Sequence, residues 1–403
     1  MKKLMIVLSV FLLVSMSISA GGKKEIILWH PLGGTDGSFF EAMVKAYNDT
    51  NPEVPVKSIV QADYYTRIYT TMNSRRTQDI PDLMIYHAER IKLFEQQGFL
   101  DPMDQAIAGQ PNINGNNYLP QTWSAGAVGG RRYAVPLDIH SSLMIYDKGL
   151  VARYAPGVLD KGYVSFDDLA EISRRIDDPS IVAYGMNLRS WVFYTLITQQ
   201  GGRVFSGDRP TLVTPEAINA ITTMKSLVDR GITQKDGEDP FALVQTGKTI
   251  FYQGATWDAG FFNELGLNWG FASTPTFSTG RLANWSSSHQ FGMLKKERSP
   301  EILAGIGKFL EFVRDNPQYW AASGQIPASM KFTTSGMFRS YPQGIAMEGA
   351  LRDSLTIYDF LYSGDTLSAV GDVIDDMIFG RLDIRAGLEK AQKEVEDKIA
   401  QSY

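Results

Sequence analysis

The sequence predicts an α/β protein of two domains, and three observations carry that prediction. Apolar runs typical of strands alternate with helical periodicity through most of the chain, which favours mostly parallel sheets flanked by helices. The chain has 403 residues, more than one ordinary hydrophobic core accommodates. Pro136-Leu137-Asp138 joins two strand-like segments. We therefore expect the chain to pass from one domain to the other at this point.

The first part of the chain alternates strand and helix. Strands are predicted over 25–29, 54–60 and 83–86, because each is a short apolar run that ends in Gly, Pro or polar residues. The helix after the first strand is predicted to begin at a capping box formed by Ser38 and Glu41. Two further strands, over 132–136 and 142–146, flank the passage between the domains.

Helix start signals are clear in the second part of the chain. Ser165 and Asp168 are spaced to cap a helix, and a strand over 183–187 follows it. Thr214-Pro215 and Ser299-Pro300 each place an N-cap residue before a proline at the first helical position. A long amphipathic helical tail is predicted over 373–399.

Composition excludes several classes of protein. Hydrophobic residues make up 44% and charged residues 21% of the chain, which is incompatible with a disordered protein. The net charge of −5 lacks the basic surplus of a nucleic-acid-binding protein. The chain has no cysteine, so disulfides, cysteine-ligated metals, a thiol nucleophile and a lipid anchor on cysteine are excluded.

The first twenty residues read as a secretory signal peptide. Lys2 and Lys3 form a positive start, an apolar run follows over 4–14, and small residues lead to Ala20. The apolar run is too short to span a bilayer as a helix. We therefore expect an exported protein of about 383 residues, located in the periplasm without a lipid anchor.

The common catalytic and metal-binding signatures are not found. The sequence has no His-Glu-x-x-His zinc motif, no Gly-x-Ser-x-Gly nucleophile elbow and no phosphate-binding P-loop. Its four histidines are far apart in sequence, and such residues are more often hydrogen-bonded structural groups than metal ligands. We therefore predict no catalytic residue, no metal and no cofactor.

Aromatic and polar residues instead recur after predicted strands, where ligands bind in open α/β sheets. Sugars require this mixture, because their C–H faces stack on aromatic rings while their hydroxyls bind carboxylate, guanidinium and imidazole groups. The loop 33–37 is added because it opens a helix after the first strand. The candidate ligand-binding residues are His30, Asp36, Tyr64, Tyr86, His87, Glu89, Arg90, Asp138, His140, Arg189, Trp191, Trp257, Asp258, Trp285, His289 and Arg352.

Short phrases in a fixed order carry a family resemblance over nearly the whole mature chain. The chain resembles the extracellular solute-binding proteins of family 1, the sugar receptors of ATP-driven importers. The phrases are Ile27-Leu28-Trp29-His30, Ala46-Tyr47-Asn48, Pro81-Asp82-Leu83, Gln97-Gly98-Phe99-Leu100, Tyr133-Ala134-Val135-Pro136, Ile145-Tyr146-Asp147-Lys148, Gln200-Gly201-Gly202 and Trp320-Ala321-Ala322-Ser323-Gly324-Gln325-Ile326-Pro327.

The resemblance implies a type II periplasmic-binding-protein fold. Two α/β lobes, each with a mostly parallel sheet, would be joined by two or three crossings and would close on a ligand in the cleft. The expected N-terminal lobe comprises 21–137 and about 275–325, and the C-terminal lobe 138–274 and about 326–403. The implied partners are a carbohydrate and the membrane permease of an ATP-driven importer; the protein would be a monomer that binds no nucleic acid and catalyses no reaction.

Comparison with maltose-binding members of the family implies roles for several candidates. Their aromatic-x-x-acid-Arg set falls on Tyr86, Glu89 and Arg90. An acid of theirs falls on His140, a departure that argues for a different ligand. Their stacking tyrosine falls on Trp191, and their late tryptophan has no equivalent near Arg352. The missing ring implies a ligand shorter than a maltodextrin.

Two alternative functions remain at this stage. Glycerol-phosphate-binding members share a Trp-His after the first strand, and the candidate arginines would suit an anionic ligand, so glycerol phosphate or a polyol such as inositol is one alternative. The other is a secreted glycoside hydrolase, which needs two carboxylates facing one glycosidic bond.

Overall fold

A computed structural model of the protein describes residues 24–74, 76–207, 209–277, 281–348 and 350–401. The predicted signal peptide, residues 1–20, lies outside the described residues. No helix in the described part of the chain is long and apolar enough to cross a membrane.

The strands are short except at the passage between the lobes. They are β1 (Ile26–His30), β2 (Val56–Val60), β3 (Leu83–His87), β4 (Leu100–Asp101), β5 (Ala127–Val128), β6 (Arg131–Arg132), β7 (Ala134–Pro136), β8 (Asp138–Asp147), β9 (Val182–Gly185), β10 (Phe205–Ser206), β11 (Arg209–Pro210), β12 (Thr249–Ala255), β13 (Trp269–Ala272), β14 (Asn284–Ser287), β15 (His289–Leu294), β16 (Ile326–Pro327) and β17 (Leu355–Ile357).

The helices alternate with these strands and continue to the C-terminus. They are α1 (Gly34–Asp49), α2 (Tyr64–Asn73), α3 (Ile91–Gln96), α4 (Asp104–Ile107), α5 (Pro120–Ala125), α6 (Lys148–Tyr154), α7 (Phe166–Arg175), α8 (Arg189–Gln199), α9 (Pro215–Asp229), α10 (Pro240–Gln245), α11 (Ala259–Glu264), α12 (Pro300–Asp315), α13 (Gln318–Ala321), α14 (Met330–Thr333), α15 (Pro342–Ala346), α16 (Ala350–Ser354), α17 (Ser363–Ile378) and α18 (Ile384–Gln401).

Two main sheets define two lobes. The first has the order β2-β1-β3-β15-β4, with β7 also paired to β15. The second has the order β17-β14-β8-β12-β9, with β13 and β16 also paired to β8. Each sheet is covered by helices that bury their apolar faces in separate cores. The predicted two-lobed α/β fold is therefore confirmed.

Three crossings join the lobes. The chain leaves the first sheet between β7 and β8, at the predicted Pro136-Leu137-Asp138. It returns between β14 and β15, which are separated only by Ser288, and it enters the second sheet again at β16. The boundary expected near 275 is therefore too early, because β14 still pairs with β8 of the second sheet.

The sheets are mixed, and the expectation of mostly parallel sheets is wrong. β1 is parallel to β2 and β3, but β15 is antiparallel to β3, β4 and β7. β8 is antiparallel to all four of its partners. The crossings explain these antiparallel pairs. A strand that enters a lobe from a crossing begins at the edge of the sheet where the strands of the β-α units end, so it runs in the opposite direction to them.

Local capping explains where most of the predicted helices begin. Ser165 and Asp168 form the predicted capping box of α7, and Thr214 and Ser299 cap α9 and α12 ahead of their prolines. Helix α1 differs from its prediction because it begins at Gly34, four residues before Ser38. This earlier start places Asp36 in the first turn of α1, beside the cleft between the lobes.

Candidate functional site

A cavity of about 570 Å³ lies between the two lobes. Its volume falls in the range of small-molecule sites in proteins. It is lined by Pro31, Leu32, Gly33, Gly34, Thr35, Asp36, Tyr65, His87, Glu89, His140, Trp191, Trp257, Trp285, His289, Gln325 and Leu367. Both lobes contribute to this lining, and His140, His289 and Gln325 place it beside the crossings between them.

Many of the residues that line the cavity lie at the ends of strands or in the turns that follow them. In the first lobe, the turn after β1 supplies Asp36 and the end of β3 supplies His87. In the second lobe, Trp191 lies in the first turn of α8 after β9, and Trp257 lies in the turn after β12. This is the edge at which ligands bind in open α/β sheets.

Three tryptophans form one aromatic wall of the cavity. The ring of Trp191 lies 5.4 Å from that of Trp285 and 6.2 Å from that of Trp257, in edge-to-face arrangements. Nε1 of Trp191 is buried and has no hydrogen-bond partner among the described residues. A buried donor of this kind is uncommon and is normally satisfied by a ligand or a water molecule.

Three histidines gather beside this wall, and we call them the histidine cluster: His87, His140 and His289. Their ring centroids are 4.3 Å (His140–His289), 4.8 Å (His87–His289) and 5.4 Å (His87–His140) apart. The sequence offered these three histidines as separate ligand-binding candidates and predicted no metal among them, and the structure brings their rings together at the cavity. Antiparallel pairing places His87 opposite His289, and the crossing brings His140 beside them.

Asp138 holds two rings of the histidine cluster. It is fully buried, and its carboxylate accepts hydrogen bonds from Nδ1 of His140 (3.2 Å) and from Nδ1 (2.7 Å) and the backbone N–H (2.8 Å) of His289. Nε1 of Trp320 donates a fourth hydrogen bond at 2.8 Å. These donors saturate the carboxylate, so it is a positioning group and not a group that contacts the cavity.

The charges of the cluster follow from this geometry. Burial raises the pKa of Asp138, but the charge of His289 and the hydrogen bonds outweigh burial and hold that pKa far below its usual range. Burial lowers the pKa of His289, but the Asp138 carboxylate outweighs that effect and leaves it raised. Burial lowers the pKa of His87 and of His140. The cluster therefore pairs one ionised carboxylate with rings that differ in proton affinity.

Two further carboxyl groups have pKa values raised above the usual range for a carboxyl group. Burial raises the pKa of Asp36 to about 6, although Nε2 of Gln325 donates a hydrogen bond to it at 2.8 Å. Burial also raises the pKa of Asp258 to about 7, and the Ala255 backbone N–H donates to Asp258 at 2.9 Å. Asp36 lines the cavity, whereas Asp258 is not part of its lining.

Four sequence candidates in the first lobe lie outside the cavity lining. His30 packs against Phe40 with Nε2 3.4 Å from Glu41. The hydroxyl of Tyr64 donates to the Ile85 carbonyl at 2.5 Å, and that of Tyr86 donates to the Tyr133 carbonyl at 3.0 Å. The guanidinium of Arg90 lies over the ring of Tyr65. Each side chain thus contacts another part of the protein, although both ring nitrogens of His30 and Nε of Arg90 are buried without a hydrogen-bond partner among the described residues.

Four candidates at the hinge and in the second lobe also lie outside the lining. Asp138 is saturated as described, and Asp258 faces the backbone of its own turn. Arg189 makes two hydrogen bonds to Asp375, at 2.8 and 2.9 Å, and Nη2 of Arg352 donates to the Thr333 carbonyl at 3.5 Å. The remaining candidates do line the cavity: Asp36, His87, Glu89, His140, Trp191, Trp257, Trp285 and His289.

Eight cavity residues were not among the sequence candidates: Pro31, Leu32, Gly33, Gly34 and Thr35 after β1, and Tyr65, Gln325 and Leu367. Tyr65 lines the cavity in place of its neighbour Tyr64, and its hydroxyl lies 2.5 Å from Nδ1 of His87. Gln325 comes from the third crossing, and Leu367 comes from α17. The Tyr64-Tyr65 pair was a sequence signal for Tyr65, but Leu367 carried no signal that distinguishes it from a core residue.

Two hinged α/β lobes with a ligand-sized, aromatic-lined cavity between them define the class of two-lobed binding proteins. Residues 33–319 match the family model described as bacterial extracellular solute-binding protein. The chain belongs to this family, as the order of its sequence phrases predicted. Members of the family are named as binding proteins rather than as enzymes.

Several curated relatives of the chain are sugar-binding proteins by name. The chain is 23% identical to the maltotriose-binding protein of Pyrococcus abyssi over 63% of this chain, and it spans only 54% of that protein. It is 24% identical to the maltodextrin-binding protein MdxE of Bacillus subtilis, covering 77% of this chain and 75% of that one. It is 23% identical to a maltooligosaccharide ABC transporter solute-binding lipoprotein of Streptococcus pneumoniae, covering 91% of this chain and 87% of that protein.

Solved structures share the fold. The sugar-binding protein MalE from Xanthomonas citri matches with a TM-score of 0.79 at 16% identity, covering 94% of this chain and 98% of that chain. An ABC substrate-binding protein from Listeria monocytogenes in complex with cycloalternan matches with a TM-score of 0.78 at 16% identity, covering 94% and 99%. At this identity the similarity establishes the fold alone.

Proposed function

We propose that the protein is the receptor of an ABC importer, which captures a monosaccharide or short oligosaccharide in the interlobe cavity and presents it to a membrane permease. The observation that carries this proposal is the wall of three tryptophans facing carboxylates and imidazoles in one cavity. Indole faces bind the apolar C–H faces of a sugar ring. Carboxylate and imidazole groups bind its hydroxyls through hydrogen bonds.

Unsatisfied polar atoms at the cavity support a hydroxyl-rich ligand. Oδ1 of Asp36 and Nε1 of Trp191 are both buried without a hydrogen-bond partner among the described residues. One is an acceptor and the other a donor, and a sugar hydroxyl serves both roles. Binding a sugar would therefore give hydrogen-bond partners to two buried polar atoms, which are costly to leave unpaired.

The charge of the lining favours a neutral ligand. No lysine or arginine is part of the cavity lining in the described ranges, whereas Asp36 and Glu89 are. Arg90, Arg189 and Arg352, which the sequence offered as anion ligands, contact other parts of the protein. This arrangement weighs against glycerol phosphate and leaves neutral sugars and polyols as ligands.

Contacts across the cleft describe how the lobes would hold the ligand. Gln325 at the third crossing donates to Asp36, and Oγ of Ser287 in β14 donates to Glu89 at 2.5 Å. A Cβ on Gly260 of α11 would lie only 2.9 Å from Thr35 of α1, so glycine permits this close approach. A ligand that contacts both lobes favours this arrangement because it loses its contacts with one lobe when the lobes separate.

Binding and turnover experiments test the proposal directly. We expect a sugar or short oligosaccharide to raise the thermal midpoint of the purified chain and to bind with a stoichiometry of one in titration calorimetry. Labelled oligosaccharides incubated with the protein should be recovered intact. Steady release of shorter sugars would instead establish a glycoside hydrolase, and binding of phosphate esters that weakens with salt would establish an anionic ligand.

Replacing Trp191 with alanine is expected to weaken sugar binding by about 1–3 kcal/mol, roughly 5- to 140-fold in the dissociation constant. The change removes a ring that lines the cavity and contacts both of the other indoles. Titration calorimetry measures the change. Trp123→Ala is the matched control, because Trp123 packs against Tyr118 and Arg132 outside the cavity lining. Equal dissociation constants for the two variants would contradict a role of Trp191 in binding.

We infer the cellular setting from the family and the sequence. A curated relative is named as an ABC transporter solute-binding lipoprotein, which supports a membrane permease as the partner. The leader-like first twenty residues and the absence of cysteine support export to the periplasm without a lipid anchor. Light scattering of the purified chain should give the mass of a monomer.

A further inference from the structure

We propose that the histidine cluster binds a divalent transition metal such as Zn²⁺, with an open coordination position that faces the cavity. One ring nitrogen of each of His87, His140 and His289 lies within 4.8 Å of the others, and all three residues line the cavity. Three imidazoles with a vacant fourth position form a recognised zinc ligand set. Imidazole also suits Cu²⁺ and Ni²⁺.

Each ring is hydrogen-bonded through Nδ1 to a polar side chain, and these hydrogen bonds orient the three rings for a metal. Nδ1 of His140 and Nδ1 of His289 are both hydrogen-bonded to Asp138, and Nδ1 of His87 is hydrogen-bonded to Tyr65. No hydrogen bond within the described residues engages Nε2 of any of the three rings. Metal-bound histidines characteristically use one nitrogen for the metal and the other for a carboxylate or another polar partner.

The spacing and charge of the cluster suit a divalent ion. Tetrahedral bonds of about 2.0–2.1 Å require ligand nitrogens roughly 3.3 Å apart, so modest rotations of the three rings would complete the site. The negatively charged carboxylate of Asp138 contacts the rings of His140 and His289. Glu89, which lines the cavity as His87 and His140 do, adds a further carboxylate. Together they offset the two positive charges of the ion.

A metal at this place would also act on the hinge. His87 ends β3 and His289 begins β15 in the first sheet, whereas His140 belongs to β8 of the second sheet. One ion bound to all three would therefore link the lobes beside two crossings. Its open position would face the ligand cavity, where a sugar hydroxyl or a water molecule could complete the coordination.

Titration of the full chain with Zn²⁺ alone tests the proposal, and the measurement needs no sugar. The protein, free of any affinity tag and treated with EDTA, should bind one Zn²⁺ per chain in titration calorimetry. Co²⁺ should give the visible absorption of a low-coordinate nitrogen site. His87→Gln and His140→Gln should each weaken Zn²⁺ binding by at least about tenfold. Tyr65→Phe, which removes only the hydroxyl beside His87, should weaken it by roughly 10- to 100-fold.

His30→Gln is the matched control, because His30 is the one histidine of the sequence outside the cluster. This variant should bind Zn²⁺ as the unmodified chain does. Circular dichroism and the thermal midpoint of each variant establish that it is folded. Absence of stoichiometric Zn²⁺ binding to the unmodified chain would overturn the proposal. Equal affinities of the His87→Gln and His30→Gln variants would overturn it as well.

Discussion

Asp138→Ala is expected to lower the free energy of unfolding by about 3–5 kcal/mol, the range found when one partner of a buried ion pair is removed. The carboxylate accepts four hydrogen bonds from His140, His289 and Trp320 while it is fully buried. Alanine would leave all four donors without an acceptor. The charge that raises the pKa of His289 would also be lost, so this buried ring would be held in its neutral form.

Asp147→Ala provides the matched control because Asp138 and Asp147 begin and end the same strand, β8. Among the described residues, the Asp147 side chain accepts only the Leu150 backbone N–H, at 2.8 Å, as the N-cap of α6. Loss of an N-cap costs about 1 kcal/mol. Urea unfolding followed by far-UV circular dichroism compares the two variants. A loss for Asp138→Ala no larger than that for Asp147→Ala would show that the buried network contributes little to stability.

The two lobes, the first crossing and most helix starts could be predicted because they depend on patterns of residues close together in the sequence. Alternation of strand and helix predicts two α/β lobes, and Pro136-Leu137-Asp138 marks the first crossing. Capping residues such as Ser165 and Thr214 mark helix starts, because the side chain itself accepts a backbone N–H. Helix α1 was mispredicted because no side chain caps it: its N-cap is Gly33, and Ser38 lies within the helix.

Strand direction and the second crossing could not be read from the sequence. Both depend on pairing between residues far apart in the chain, such as Ser287 with His140 and His289 with His87. Hydrophobic patterns report which residues are buried but not which strand lies beside them. The strands 284–287 and 289–294 are separated by a single residue and yet belong to different sheets.

Sequence reasoning placed candidates at the correct strand ends but could not assign the direction of their side chains. Tyr64 and Tyr65 are neighbours at the start of α2, and the helix turns one into the core and the other toward the cavity. Asp138 and His140 point to the same face of β8, as a period of two requires. The sequence could not show that the Asp138 carboxylate is fully hydrogen-bonded within the protein, because one of its partners, His289, lies 151 residues further along the chain.

Asp258→Asn is expected to stabilise the protein at alkaline pH and to have little effect near pH 4. Burial, together with the charge of Asp36, raises the pKa of Asp258 from 3.8 to about 7. The folded state therefore keeps this proton over a pH range in which the unfolded chain has released it. The stability contributed by the group is complete below about pH 3.8 and is lost as the pH rises through 7.

A difference of about three pKa units corresponds to roughly 4 kcal/mol lost by pH 8 in the unmodified chain. Asparagine avoids this loss because it is neutral at every pH, and its amide oxygen can still accept the Ala255 backbone N–H. Urea unfolding at pH 4, 6 and 8 should therefore give nearly equal stabilities at pH 4 and a growing advantage for Asp258→Asn above it. Asp147→Asn, measured in parallel, controls for the loss of one negative charge. An Asp258→Asn advantage that does not grow with pH would show that the carboxyl group is already ionised in the folded state at low pH.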